Sequence, residues 1–422
     1  MRSGTYGEYY EDCFIIKLNI DVDFANLGNS DDADHYGTFI HEYFHFLQNM
    51  STTYGNMSMA VFYAKIRDIL YKLANNENNE MSRIVLYSNN IQDYIIKQEI
   101  ALGDMDSWTY EAYDFIQIED IILKKDDLLG EYAVNAVPIV KLLITKNGKC
   151  IHKELNFGAM CIMESMADMF ERKIYGRSKA KEYVQYDICE KIWEYLFRGT
   201  VQYDLLFRCS EYSLMYDNPG QMFYAAIKML SETNTEKIKT EEIDSFFKSQ
   251  VKPYFMDDYN GWFSEMMSQF NALVPKNNKF ASHLKDYVGS FCQEFNDLRN
   301  KQALYFSKLY NSEPAAIKFI ISSLVGVACP LVISNNNEVY GADTIPGNAL
   351  GMEEYAAFYA LYSMFGIQGK DKCELFEICK KNNEGIVSSS CFDNPLETGK
   401  KEKLCTLGQL LYMWQAKAVQ LI

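Results

Sequence analysis

Residues 41–45 read His-Glu-Tyr-Phe-His, two imidazoles and a carboxylate at a spacing that a helix can turn into a metal site. Side chains at i and i+4 project from one helix face, so His41 and His45 can share one Zn2+ ion. Glu42 then stands beside a metal-bound water. Histidine is scarce here, with 5 in 422 residues, and two of them fall in this segment. At about 100° per residue, Phe39, Ile40, Tyr43, Phe46, Leu47 and Met50 gather on one broad arc. His41, Glu42 and His45 lie opposite, with Thr38, Gln48 and Asn49. One side can anchor the helix in a core while the other holds a cation. A surface helix displaying two histidines would satisfy the same pattern.

Two imidazoles leave a third protein ligand to be found. The continuation HExxHxxGxxH fails, because Gln48 and Ser51 stand where its glycine and last histidine belong. The other common arrangement takes a Glu from a later helix, with an acid four residues on that buttresses a histidine. Downstream of His45 the form E-x-x-x-D occurs once, as Glu164-Ser165-Met166-Ala167-Asp168. Helical spacing puts Glu164, Asp168 and Glu171 on one acidic stripe, with Ile162, Met163, Met166 and Phe170 opposite. Like charges at i,i+4 cost a helix a few tenths of a kcal/mol, so the stripe points to a cation. Zinc would satisfy Glu164, and an imidazole N–H would satisfy Asp168. The competing reading is a solvated acidic face with Arg172 paired to Asp168.

On HEYFH at 41–45 and ESMAD at 164–168 the chain resembles the gluzincins, the thermolysin-like zinc metallopeptidases. The resemblance implies a zincin-like core, with His41, His45 and Glu164 binding zinc. It implies Glu42 as the general base that activates the bound water, and Asp168 as the residue that orients a ligand histidine. The activity implied is hydrolysis of a peptide bond in a peptide or protein substrate. A second electrophile, usually Tyr or His, would assist the oxyanion; His283, Tyr355, Tyr359 and Tyr362 are available, and the sequence does not choose among them. The insertion between His45 and Glu164 is longer than in compact members. The large body beyond Glu164 exceeds what the chemistry needs and motivates a specific protein target. The alternative is a non-enzymatic interaction or effector protein that retains a zincin-like scaffold, against which Glu42 argues, since a structural site needs no base.

These helices must be positioned by the rest of the chain. Residues 13–24 alternate as a strand, and helices are expected at 35–50 and 57–74. A hairpin is expected over 137–155 about Asn147-Gly148, then a helix over 157–175 capped by Asn156. The hairpin edge could pair with an extended peptide, and His152 on it is an alternative third ligand; His35 reads as a helix-start residue. The remainder is mainly helical, with the apolar run 315–334 as a buried helix. This predicts a predominantly α-helical α+β fold with a small N-terminal sheet. Residues 1–175 would form the zincin-like portion and 176–422 a helical portion packed on it.

Composition narrows the partners. A net charge of -16 repels phosphate backbones, so nucleic acid is not expected as a partner. The longest uncharged apolar run, Phe319 to Ile333, is shorter than the roughly 20 residues of a bilayer span. No secretory leader is recognisable at the N-terminus. The 11 cysteines are scattered and odd in number, as in a reducing compartment, so a cytoplasmic location is expected. Cys373, Cys379, Cys391 and Cys405 gather near the C-terminus without the paired spacing of a zinc knuckle.

Overall fold

Thr52 decides how the site helix is held. In the computed structural model, residues 7–20, 33–78, 80–125, 136–176, 181–233, 239–249, 254–274, 278–335, 339–340, 348–366, 369–382 and 387–422 are described. β1 (Gly7–Tyr10) and β2 (Ile15–Leu18) precede α1 (Ala33–Ser51) and α2 (Thr53–Asn75). Between these helices Thr52 is extended (φ -119°, ψ 159°), and its hydroxyl accepts the Gly55 N–H at 3.0 Å. One residue thus ends α1 and caps α2, and α2 begins at Thr53 rather than near 57. Of the strand expected over 13–24, Ile15–Leu18 forms β2, and residues 21–24 lie outside the described residues.

β3 (Glu80–Met81), α3 (Asn89–Leu102) and β4 (Ala112–Tyr113) follow, then β5 (Phe115–Lys125), β6 (Ala136–Lys146) and β7 (Lys149–Asn156). The last three form an antiparallel sheet in the order β5-β6-β7. Asn147 and Gly148 have φ of 52° and 72°, the left-handed pair that a two-residue hairpin turn requires. The expected hairpin is therefore present, with a third strand beside it. β5 escapes a period-two reading because its register shifts between Ile118 and Asp120. α4 (Ala159–Tyr175) starts after Gly158. Asn156 does not cap it; its backbone and side-chain N–H groups both donate to Asp104, at 2.7 Å.

Helices then dominate: β8 (Glu182–Tyr183), α5 (Val184–Phe197), α6 (Tyr203–Ser213), α7 (Pro219–Thr233), α8 (Thr240–Ser249), α9 (Phe255–Leu273), α10 (Lys279–Lys301), α11 (Tyr305–Tyr310) and α12 (Pro314–Val327). The apolar run 315–334 is not one buried helix. α12 leaves Phe319 72% exposed, and beyond Pro330 the chain becomes the buried strand β9 (Leu331–Ile333). β9 and β10 (Val339–Tyr340) complete the first sheet in the order β1-β2-β9-β10, with β2 and β9 parallel. That sheet is therefore shared between the two ends of the sequence. α13 (Asn348–Tyr362), α14 (Phe376–Asn382), α15 (Ser390–Asp393), α16 (Thr406–Met413) and β11 (Gln420–Leu421) finish a predominantly helical α+β fold.

α1 runs through the middle of the core, against α2, α4, α10 and the first sheet. A buried ion pair fixes its C-terminal end. Arg299 on α10 donates to Ser51 O at 2.5 Å and to the Glu211 carboxylate. Glu211 in turn accepts the N–H groups of Phe306 and Ser307, at 2.9 and 2.6 Å.

Candidate metal centre

The apolar back of α1 holds it rigidly, with Phe39, Tyr43, Phe46, Leu47 and Met50 all fully buried. Phe44 stacks on Phe170 of α4, with ring centroids 4.5 Å apart, and this contact sets the polar fronts of the two helices face to face. Glu164 Oε2 lies 3.2 Å from His41 Nε2 and 3.3 Å from His45 Nε2. The three donor atoms fall within 4.8 Å of one another, the one such group among the described residues.

The other ring nitrogens are held from behind. Gln48 Nε2 donates to Met163 O at 3.2 Å, which turns its Oε1 toward His45 Nδ1 at 2.9 Å. Only a protonated Nδ1 can donate to that oxygen, which leaves Nε2, facing Glu164, as the nitrogen that would bind a metal once it gives up its proton. His41 Nδ1 has Glu171 Oε2 at 3.5 Å. Two imidazole Nε2 atoms, each ring with a polar partner at its Nδ1, and one carboxylate form a donor set that could hold a metal ion. In the metal-free state the same geometry gathers protons. Burial opposes charge on His41, but hydrogen bonds to Glu164 and Glu171 outweigh it and raise its pKa well above 6.5. Burial likewise opposes charge on His45, and Glu164 outweighs it. Burial would push Glu164 up, yet both histidines hold it well below the usual carboxylate range. The pocket stabilises positive charge where a divalent cation would sit.

The acid recorded beside His41 Nδ1 is Glu171, whereas Asp168, expected to orient a histidine, is recorded with Arg172. Asp168 accepts from Arg172 Nε at 2.9 Å, and Arg172 also pairs with Glu190. Seven residues return about -20° around a helix and four advance about +40°, so both acids share the stripe with Glu164. Which one meets His41 depends on how α1 crosses α4. A Cβ on Gly37 would come within 2.7 Å of Glu171 Oε1, so glycine there lets the carboxylate slip in against α1. His152 is not the third ligand: it pairs with Glu119 at 2.9 Å, and its side chain is 72% exposed on the hairpin. His283 pairs with Glu354 at 2.9 Å, and Tyr355 OH donates to Asp12 O at 2.8 Å. The His35 side chain lies outside the described residues.

Glu42 opens onto a cleft of about 300 Å³ that also exposes the three ligands. It is buried and accepts the Tyr9 backbone N–H; burial, then the charge of Glu164, raises its pKa against the pull of His41 and His45. One wall is β1. A Cβ on Gly7 would meet Thr38 Cγ2 at 2.7 Å and Glu42 Cγ at 3.0 Å, so the strand passes directly over the helix. Among the described residues β1 pairs only with β2 and is an edge of its sheet. Glu11 also lines the cleft, its pKa pushed up to about 7 by burial, Asp12 and Glu164.

Neither a protein-family model, nor a curated protein, nor a solved structure matches the chain. The site has to be read from its own chemistry. Tyr110, Tyr186, Tyr359 and Tyr362 line the cleft. Tyr186 sets its ring edge-on to His41 at 5.7 Å. Burial, then the charges of Glu164 and Glu42, raises its pKa well above 10, so its phenol stays protonated. Nothing in the sequence singles out Tyr186 among 31 tyrosines; only the packing of α5 on α4, which brings its ring to His41, does. No helix among the described residues is long and apolar enough to cross a membrane.

Proposed function

We propose that the chain is a zinc-dependent peptidase (a metalloprotease of the gluzincin type on a zincin-like core). In this reading His41, His45 and Glu164 hold the metal and Glu42 is the general base. The observation that carries it is Glu42 itself, a buried carboxylate of raised pKa that opens, beside three convergent ligands, onto a cleft. A scaffold role would be served by a filled pocket, and here the base faces free space.

Zinc in this place supplies a water of lowered pKa and a positive charge for the scissile carbonyl. The protein supplies the rest. Glu42 takes the proton from the attacking water and passes it to the leaving amine. Gln48 and Glu171 keep both histidines aimed. Tyr186, protonated beside the ligands, is placed to donate a hydrogen bond to the developing oxyanion. An extended peptide can pair with the edge of β1 that has no strand beside it among the described residues. β1, rather than the hairpin favoured by the sequence reading, is the strand beside the ligands.

The test combines metal counting with turnover. Wild-type protein is expected to carry one zinc ion more than His45→Ala or Glu164→Gln. Glu42→Gln should keep that ion while losing about 10²–10⁴-fold in peptide cleavage, the range of a general base. Equal zinc in wild type and both ligand variants would end the proposal.

A further inference from the structure

The cleft in front of the ligands carries an acid that the chemistry does not use. β1 alternates as a strand must: Gly7 and Tyr9 are buried, Glu8 is exposed and Tyr10 half-buried. The Tyr10 hydroxyl donates to Glu8 at 2.9 Å, which holds an acid and a ring together on the outer face. Glu11 follows directly and is half-buried. Both acids line the cleft, together with Glu42 and Glu164.

Three of these four carboxylates have a task. Glu164 is a ligand, Glu42 is the base, and Glu8 accepts from Tyr10. Glu11 has none. Among the described residues its carboxylate accepts no hydrogen bond and makes no ion pair, whereas its neighbour Asp12 accepts the Ser58 hydroxyl at 2.9 Å. Glu11 also stands outside the group of donors that could share one metal ion. A carboxylate partly withdrawn from water and left unpaired is costly, and a cation beside it offsets that cost.

The cleft itself does not supply the cation. No lysine or arginine stands among the described residues that line it. Lys17 on β2 is already engaged, donating to the Tyr359 hydroxyl at 2.7 Å and pairing with Glu374 at 3.4 Å. Its ammonium lies 4.7 Å from the centre of the Tyr10 ring and 4.9 Å from that of Tyr359. Two rings of the cleft thus already accept an ammonium on their faces. Met105 and Met160 line the same space; thioethers adapt to an aliphatic stem, and a long basic side chain buries its stem while its head stays with polar groups.

We infer that the cleft selects a basic residue, lysine or arginine, beside the scissile bond, with Glu11 as the residue that determines this specificity. The inference rests on the peptidase reading above and names the substrate class for that site. The substrate brings the charge that Glu11 lacks, its stem lies against the thioethers, and the backbone of the peptide runs along β1.

The experiment uses the full chain carrying Glu42→Gln, loaded with zinc, so that peptide binds without being consumed. Two pools of acetylated and amidated pentapeptides are compared by isothermal titration calorimetry. They differ only at the central residue, lysine in one and norleucine in the other, with uncharged residues around it. The lysine pool is expected to bind about 10–100-fold more tightly, the range of hydrogen bonds to a charged group. A net charge of -16 attracts any cationic peptide, and Glu11→Gln separates the two sources because it removes a single charge. Adding Glu11→Gln should bring the pools within about twofold of each other. With Glu42 intact, mass spectrometry should place the cut next to lysine, and the lysine-to-norleucine ratio of kcat/KM should fall in Glu11→Gln by the same factor as the binding ratio. Equal binding of the two pools, or a lysine preference that survives Glu11→Gln in folded protein, overturns the inference. If Glu11→Gln fails to fold, the pools and the cut position decide alone, and cuts scattered without regard to lysine overturn it. The peptidase reading fails separately, through cleavage of neither pool and zinc content indifferent to His45 and Glu164.

Discussion

Replacing Glu171 by Gln tests which acid serves the metal. Glu171 Oε2 stands 3.5 Å from His41 Nδ1, longer than a well-formed hydrogen bond. Carboxylates behind metal-bound histidines contribute about 10–100-fold in metal affinity or activity, roughly 1.4–2.7 kcal/mol. The long distance places this one at the lower end, so Glu171→Gln should weaken zinc about tenfold, read by competition with a chromophoric chelator. Asp168→Asn should behave differently. Its partner is Arg172, in a pair whose side chains are only 16% and 19% exposed. Its loss should cost up to about 1 kcal/mol of stability and leave zinc affinity within about twofold. Stability by urea denaturation and affinity by competition therefore separate the two acids. If Asp168→Asn weakens zinc tenfold while Glu171→Gln does not, the buttress assignment is wrong.

Three further outcomes are expected. Glu211→Gln strips Arg299 of its buried partner and should destabilise the chain by about 3–5 kcal/mol in urea denaturation; a loss under about 1 kcal/mol would refute the account of α1 anchoring. Gly7→Val pushes a side chain toward Thr38 and Glu42, whose atoms stand 2.7 and 3.0 Å from a Cβ there, so peptide cleavage should fall at least about tenfold while zinc content holds. In metal-free protein Glu11 has its pKa raised to about 7 from 4.5, so the folded state binds more protons than the unfolded state across that interval. Stability should be fully present below about pH 4.5 and fall as pH rises through 7. Glu11→Gln should flatten that slope, and an unchanged slope would refute the burial of this carboxyl.

The part of the site carried by helical periodicity was legible in the residues. His41, Glu42 and His45 share a face because of a local repeat, and so do Glu164, Asp168 and Glu171. The fold then brings the two faces together through contacts such as Phe44 on Phe170. The helices expected at 35–50, 57–74 and 157–175 were legible for the same reason. β1 was not, because four residues with one paired neighbour leave too short a pattern. β9 was not, because its partner β2 lies more than 300 positions earlier and no local period records that pairing.

The exchange of Asp168 for Glu171 shows where such reading stops. Both acids are consistent with one stripe, and the sequence of α4 alone cannot say which of them reaches His41. The choice is written on the other helix. Gly37, one turn before His41, removes the Cβ that would strike Glu171 Oε1 at 2.7 Å, while Asp168 pairs with Arg172, itself paired with Glu190. Gly37→Ala therefore tests the crossing directly. The far end of a flexible Glu can move aside, so stability should change by less than about 1 kcal/mol. The displaced carboxylate should weaken zinc by about the same factor as Glu171→Gln, and combining the two changes should add nothing further. A zinc affinity untouched by Gly37→Ala would mean that Glu171 is not held where the crossing puts it.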